Sequence, residues 1–391
     1  MLTIGQVILF WLIFDIPYLF YRILELMFPI KRKGPEEHPL VSIIVPAYNE
    51  DKCIYRTLKS CMQQSYRSIE IIVVDDGSTD NTIEVVRDFH SKNSPELKRR
   101  RISFKFVRQD NGGKARALNN GLKHAHGEFI VTIDADSYLS HKGIENIIRY
   151  FVAKDVGAVA GNVMAISKHK VLDYLQYLEY ELGIVFLRSA QSFTHDVLVT
   201  PGAFSAYRRS ALNYFEEGTL TEDFDTSVRI IEKDYKIVQA VDAVCYTQLP
   251  MDVHDLIVQR IRWQQGGLQV FAKHFEHKKR ILSHLEMFFV FFFGFYGIFP
   301  RAISFVVIPS MLLSGGYSVL TVILVFFLYS VCILFIQFVM LYRYLKDKRM
   351  FAAIPAYIIY NNTLILYSCV MAQVLLFKKE VRWSKLSRYR M

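Results

Sequence analysis

The residues best placed to do chemistry in this sequence are three groups of carboxylates. Asp75-Asp76-Gly77-Ser78 and Asp134-Ala135-Asp136 each follow a short apolar run, and Thr221-Glu222-Asp223 stands ahead of an amphipathic stretch. A carboxylate directly after a buried strand, such as Asp75, can accept hydrogen bonds from a base or ribose. Asp134 and Asp136 set two carboxylates close together, which repel unless a cation joins them. Mg²⁺ or Mn²⁺ on a substrate diphosphate meets that need, because hard cations take oxygen ligands. Taken alone, an Asp-x-Asp pair is also what a solvated Asx turn looks like. Asp223 is a candidate general base, a role that needs hydrogen-bond reach to a hydroxyl. Glu222 is explained as an acidic residue at a helix start, with Thr221 as the N-cap.

The cationic candidates are Lys114 and the run Gln259-Arg260-Ile261-Arg262-Trp263. Asn111-Gly112-Gly113-Lys114 lacks the Gly-x-x-x-x-Gly-Lys-Ser/Thr spacing, which excludes a P-loop triphosphatase. Lys114 still opens a helix, from which it could reach a diphosphate or base. Arginine forks suit diphosphate oxygens, and the indole of Trp263 suits the apolar face of a sugar ring. The basic patch Lys278-Lys279-Arg280 and a long apolar tract follow, so an interfacial helix resting on lipid phosphates explains the same cations.

Strands are expected at Val41-Val45, Ile69-Val74, Phe104-Val107, Phe129-Ile133 and Ala158-Gly161, and helices at Lys52-Met62, Asn81-Phe89 and Phe224-Lys233. This alternation predicts an α/β fold with a mostly parallel sheet. Ala47-Tyr48-Asn49-Glu50, Asp75 to Ser78 and Asp134 to Asp136 then all fall at carboxyl ends of strands, where open α/β sheets bind ligands. Ser78 or Asp80 is the expected cap of the helix from Asn81. Ser91 to Arg101, charged and containing a proline, reads as a loop.

Four apolar tracts are long enough to enter a bilayer: Ile4 to Ile30, Met287 to Leu313, Tyr317 to Tyr342 and Phe351 to Phe377. The first lacks a basic leader and a small-residue cleavage site, and so reads as a retained anchor. The net charge of +10 gathers beside these tracts, which marks cytoplasmic membrane flanks and lipid contact rather than nucleic-acid binding. Expected divisions are an N-terminal transmembrane anchor (1–30), a cytosolic catalytic domain (31–280) and a C-terminal membrane region with three apolar segments and a basic tail (281–391). Three crossings after Arg280 would strand that tail on the far side. Either one tract is interfacial or re-entrant, with Pro300-Arg301 and Asn361-Asn362 as the candidate interruptions, or the charge rule fails at the tail. The five cysteines are scattered without metal-ligand spacing, which points to a reduced compartment.

Pro46-Ala47-Tyr48-Asn49-Glu50, Asp75-Asp76-Gly77, Asn111 to Ala115, Asp134-Ala135-Asp136, Thr221-Glu222-Asp223 and Gln259 to Trp263 occur in one order and spacing. In this the chain resembles membrane-embedded processive family 2 glycosyltransferases, such as cellulose, chitin, hyaluronan and poly-N-acetylglucosamine synthases. The resemblance covers about Val41 to Lys273. Arg262-Trp263-Gln264-Gln265-Gly266-Gly267 and Gly202 to Ser210 are most similar to the poly-N-acetylglucosamine branch, which usually has two N-terminal spans where this sequence shows one. The resemblance implies a GT-A-like sheet with transmembrane helices. It implies that Asp75, Lys114, Tyr48 and Glu50 lie at the nucleotide, and that Asp134 and Asp136 hold Mg²⁺ or Mn²⁺ on the diphosphate. Asp223 would be the base, with Glu222 beside the substrate. Gln259, Arg262 and Trp263 would clamp donor and acceptor, leaving Arg260 outside the pattern as a lipid contact.

The expected activity is inverting polymerisation of a nucleotide-diphospho-sugar, with UDP-N-acetylglucosamine the expected donor, into a β-linked polysaccharide secreted across the cell membrane. Expected partners are the nucleotide sugar donor, the growing polysaccharide, membrane lipid and an accessory membrane subunit, with no nucleic acid. The alternatives are a non-processive transferase to a lipid-linked or short glycan, and a catalytically dead scaffold. The intact acidic set opposes the scaffold, and Gln-x-x-Arg-Trp opposes the single-transfer enzyme.

Overall fold

The computed structural model describes residues 37–166, 171–274 and 352–377, together with isolated positions near the N-terminus and between 318 and 335. The first two apolar tracts and Pro300-Arg301 fall almost wholly outside the described residues, and the third is described only at scattered positions between 318 and 335.

An eight-stranded sheet forms the frame, in the order β3-β2-β1-β4-β7-β6-β8-β5. The strands are β1 (Val41–Ala47), β2 (Ile69–Asp76), β3 (Ser103–Gln109), β4 (Phe129–Ile133), β5 (Ser137–Leu139), β6 (Val156–Ala165), β7 (Phe204–Arg208) and β8 (Lys236–Thr247). The first four pair in parallel, as the strand–helix alternation predicts. β7 enters antiparallel between β4 and β6, and β5 runs antiparallel on β8. The sheet is thus parallel from β3 through β4 and mixed beyond it.

Helices cover both faces, because the central strands are buried on both sides and alternate residues must pack in opposite directions. Val41, Ile43 and Val45 pack on one face with α1 (Ile54–Met62), α2 (Thr82–Arg100) and the short α4 (Gly143–Ile148). Ile44, Ile72 and Val74 pack on the other with α3 (Lys114–Lys123) and α7 (Glu222–Glu232). A third cluster joins α5 (Val171–Tyr180), the π-helical segment Glu181–Leu187, α8 (Val253–His274) and α9 (Ile354–Tyr360). A short α6 (Arg188–Thr194) leads from that segment toward β7.

Two sequence expectations need correction. Ser91 to Arg101 is not a loop: α2 continues through Pro95 to Arg100. The ring removes one backbone donor. Asn93 and Ser94 offset part of the lost bonding by donating side-chain hydrogen bonds to the carbonyls of Phe89 and His90 (2.8 and 2.6 Å). Burial of Val86, Phe89 and Leu97 holds the far end down. Asn361-Asn362 does not break its apolar tract either. A π-helical stretch, Asn361–Ile365, carries the chain directly from α9 into α10 (Leu366–Phe377). The composite Ile354–Leu375 is, among the described residues, the one helix long and apolar enough to cross a membrane.

Candidate active site

β1, β2 and β4 deliver their carboxyl ends to one edge, and the antiparallel β7 begins there. Ala203, just ahead of β7, accepts a hydrogen bond from the Asp134 amide (3.4 Å). Asn49 has a left-handed backbone (φ 55°), a conformation asparagine tolerates better than most residues. Its Oδ1 accepts from the Thr79 amide (2.7 Å), while its own amide donates to Ser78 Oγ (2.9 Å). The Glu50 amide donates to Thr82 Oγ1 (2.7 Å). The half-buried Tyr48-Asn49-Glu50 loop is therefore clamped to the loop after β2. Of the two expected helix caps, Asp80 takes the role by accepting from the Thr82 amide (2.9 Å), and Ser78 serves the clamp instead.

Asp75 is fully buried and accepts from the Ser78 amide (3.3 Å) and from Arg108 Nε (3.4 Å). Asp76, its neighbour, accepts from the amides of Gly112 and Gly113 (2.9 and 2.8 Å) and from Gln109 Nε2 (2.7 Å). That carboxylate holds the glycine loop, and Gly113 (φ +88°) takes the turn that starts α3 at Lys114. Sequence reasoning left Asp76 without a role of its own. A second acid in a strand-end pair, followed by a Gly-Gly loop, was the available signal.

Lys114, Asp134, Glu222 and Asp223 converge from three segments. Lys114 Nζ lies 2.6 Å from Asp134 Oδ1 and 3.1 Å from Glu222 Oε1. Burial lowers the basicity of this amine, but the Asp134, Glu222 and Asp223 carboxylates outweigh it and hold the ammonium well above its ordinary range. Asp223 Oδ2 accepts from the Gly202 amide (2.9 Å) and Oδ1 from the Phe224 amide (2.8 Å). Burial and the adjacent Glu222 push the Asp223 carboxyl up to about 6, against the lowering pull of Lys114 and the two amides. Each oxygen keeps a second lone pair, so the carboxylate can still take a proton. Gly202 is the residue that permits this approach: a Cβ there would fall 2.6 Å from Lys114 Nζ and 3.3 Å from Asp223 Oδ2.

Thr221 sits at the N-cap position of α7 but makes no side-chain capping bond, contrary to expectation. Its hydroxyl is buried without a partner among the described residues. Gly266 of α8 packs against it, so closely that a Cβ on Gly266 would meet Thr221 Oγ1 at 2.5 Å. Arg262 lies one helical turn before Gly266, on the same face. Partly exposed, it makes no hydrogen bond or ion pair among the described residues. Gln259 is buried, and the Trp263 ring lies 6.3 Å from that of Tyr180. None of these three touches the Lys114 cluster directly.

Arg260 is not a lipid contact. It is 1% exposed and forms a two-pronged ion pair with Glu179, each N–H to oxygen distance being 2.8 Å. Its lipid reading rested on the nearby basic patch, and the acid that neutralises it lies 81 residues upstream, beyond any local pattern.

The Asp134–Asp136 pair offers hard oxygen donors only. Asp134 presents one oxygen to Lys114, and the buried Asp136 accepts from Ser137 Oγ (3.1 Å). Such a pair suits a Mg²⁺- or Mn²⁺-type ion, whose remaining positions water and a diphosphate would complete.

Residues 42–215 match Glycosyl transferase family 2, and residues 129–363 match Glycosyl transferase family group 2. The chain belongs to glycosyltransferase family 2. The poly-beta-1,6-N-acetyl-D-glucosamine synthase of Staphylococcus epidermidis is 32% identical to this transferase over 275 residues, which are 68% of this chain. The enzyme of the same description from Staphylococcus aureus is 30% identical over the same length. The match spans 64% of the length of each relative. Among solved structures, the Pyrobaculum calidifontis mannosyltransferase PcManGT, in complex with GDP-Man and Mn²⁺, superposes with a TM-score of 0.64 at 23% identity. That superposition covers 94% of this chain and 99% of the other. It shows a shared, GT-A-like fold.

Proposed function

We propose that the transferase polymerises a β-linked polysaccharide from a nucleotide-diphospho-sugar at the cytoplasmic face of a membrane and passes the product into its apolar segments. The observation that carries this reading is the half-buried Asp223. Two backbone amides orient it, and it stands beside Lys114, Asp134 and Glu222 at the carboxyl edge of the sheet. Similarity to two poly-beta-1,6-N-acetyl-D-glucosamine synthases favours UDP-N-acetylglucosamine as donor.

In this reading Asp75, Tyr48 and Glu50 line the nucleotide end, and Asp134 and Asp136 hold a divalent cation. The cation would neutralise the diphosphate as it leaves. Lys114 is already placed among carboxylates at that point, so an arriving diphosphate exchanges one set of anionic partners for another. Arg262, unpaired among the described residues, adds a fork to the leaving group, with the buried Gln259 shaping that wall. Asp223 removes the proton from an acceptor hydroxyl, which attacks the anomeric carbon opposite the leaving diphosphate. One displacement without a covalent intermediate inverts the configuration, so an α-linked donor gives a β-linked product. Trp263 presents an apolar face to the acceptor sugar.

The domain plan goes with this reading: residues 31–280 catalytic and cytoplasmic, residues 1–30 an anchor, and residues 281–391 a multi-pass region that takes the chain outward. The test is the full chain in lipid with a panel of labelled nucleotide sugars and Mg²⁺ or Mn²⁺. Long β-linked products support the reading. Addition of a single sugar, or a product with retained configuration, would overturn it.

A further inference from the structure

Arg260 is the largest fully buried side chain among the described residues. Three elements far apart in sequence meet on it. Glu179 of α5 accepts both prongs of the fork. Tyr360, the last residue of α9, donates its hydroxyl to Glu179 Oε2 at 2.6 Å. Gln259 accepts a third guanidinium N–H. The guanidinium carbon stands 4.2 Å from the centre of the Trp263 ring and 6.0 Å from that of Tyr180. Burial pulls down the basicity of this arginine, but the Glu179 carboxylate overrides it, so the pair stays ionised.

Stability alone does not account for such a pair. Apolar side chains of similar volume commonly fill such a space at equal or lower free energy, because ion desolvation is avoided. What an ion pair adds is direction. A bidentate fork fixes the plane of the guanidinium, and an indole packed within cation–π distance takes its orientation from that plane. Tyr360 makes the arrangement sensitive to the apolar helix, since its hydroxyl reaches the shared carboxylate from the residue just before the π-helical stretch.

We propose that Arg260, Glu179 and Tyr360 form a positioning joint that orients the Trp263 indole for the acceptor sugar and ties that orientation to the apolar helix Ile354–Leu375. The proposal rests on the reading of Trp263 as the acceptor platform. The three are positioning residues, acting through Trp263 and not on the reacting atoms.

The test uses the full chain in lipid nanodiscs, with labelled UDP-N-acetylglucosamine, Mn²⁺ and an added β-1,6-linked N-acetylglucosamine oligomer as primer. Tyr360→Phe removes one hydrogen bond and almost no volume. Arg260→Lys keeps the charge and loses the fork. Both are expected to raise the KM for the primer roughly tenfold and to shorten the product, the cost of a misaligned acceptor. The donor KM, read from UDP release, and the thermal midpoint are expected to stay near the parent values for Tyr360→Phe. With Trp11 and Trp383 replaced by Phe, Trp263 is the sole tryptophan. Its fluorescence lifetime is expected to change in both variants.

Unchanged primer KM, product length and Trp263 lifetime in both variants would overturn the joint. So would a parallel loss of donor and primer binding with a lowered thermal midpoint in Tyr360→Phe, which is the signature of a merely structural contact. A parent chain that adds only one sugar overturns polymerisation instead. The primer KM comparison between parent and variants still decides the joint in that case.

Discussion

Asp223 and Asp225 stand two residues apart in the first turns of α7, and the protein drives them in opposite directions. Burial raises the carboxyls of both. Asp223 has Glu222 beside it and rises to about 6, while Asp225 falls to about 2. Asp225 is fully buried but meets His274 (3.2 Å), Arg229 (2.7 Å) and Lys273 (3.1 Å). His274 is in turn raised to about 9: burial lowers it, and the carboxylates of Asp225 and Glu232 more than compensate. One helix thus carries a carboxylate left short of cations at its tip and a carboxylate saturated with them one step inward. The first can change protonation and partners during a reaction. The second pins α7 to the end of α8 and is built to stay as it is.

The strongest challenge to this contrast is Asp223→Asn. Turnover is expected to fall by about 10²–10⁴-fold, the range typical of a lost general base, with donor binding retained. Full activity would remove the base assignment. The same substitution takes away an ionised form that burial disfavours, but it also sets an NH₂ against one of the two amide donors, so the thermal midpoint at neutral pH is expected to change little. Asp225→Asn is expected to lower stability and spare turnover. Breaking a buried ion cluster costs about 3–5 kcal/mol, read by denaturant unfolding, while protein that remains folded keeps its turnover. Equal stability changes in the two variants would erase the distinction.

Gly202→Ala comes next in size. The new methyl displaces the flexible end of Lys114, so the donor KM is expected to rise about tenfold at nearly constant stability. An unaltered donor KM would remove Lys114 from the nucleotide site.

The mildest probe is pH. Turnover is expected to rise as the pH passes upward through about 6, where Asp223 ionises. The Asp225 contribution to stability is present above its ordinary value of 3.8 and is lost as the pH falls through about 2. That of His274 is present below 6.5 and is lost as the pH rises through about 9. Thermal midpoints and initial rates measured over the same pH series separate the two groups. An acid limb of activity that tracks stability would show that Asp223 is not titrating by itself.

The sheet edge was legible because its information is local. Short β-branched runs ended in acids, and Asp75, Asp134 and their neighbours fall where the alternation pattern put them. The strand Phe129–Ile133 matches residue for residue. What escaped depends on distance or on two elements at once. Nothing in Gly202-Ala203-Phe204 reveals an antiparallel strand until β4 and β6 are beside it. Arg260 looked like a membrane anchor because its acid lies on another helix. Pro95 looked like a break because the packing of Leu97 is invisible in a one-dimensional pattern. The pairing of Asp225 with Lys273 and His274 spans 48 and 49 residues and carries no motif.

The π-helical stretch Asn361–Ile365 has a consequence for how this helix tolerates insertion and deletion. A π turn accommodates an extra residue relative to an α turn, and it turns everything downstream by about 100° against an uninterrupted α-helix. Losing one residue from 361–365 would let the segment close into plain α-helix. The faces of α9 and α10 would then keep their present phase, with Tyr360, Cys369 and Ala372 still on the sides they occupy now. The same deletion in β1 or β4 would reverse the sidedness of a strand buried on both faces. A one-codon deletion library is therefore expected to find this stretch permissive, while the sheet tolerates no such edit.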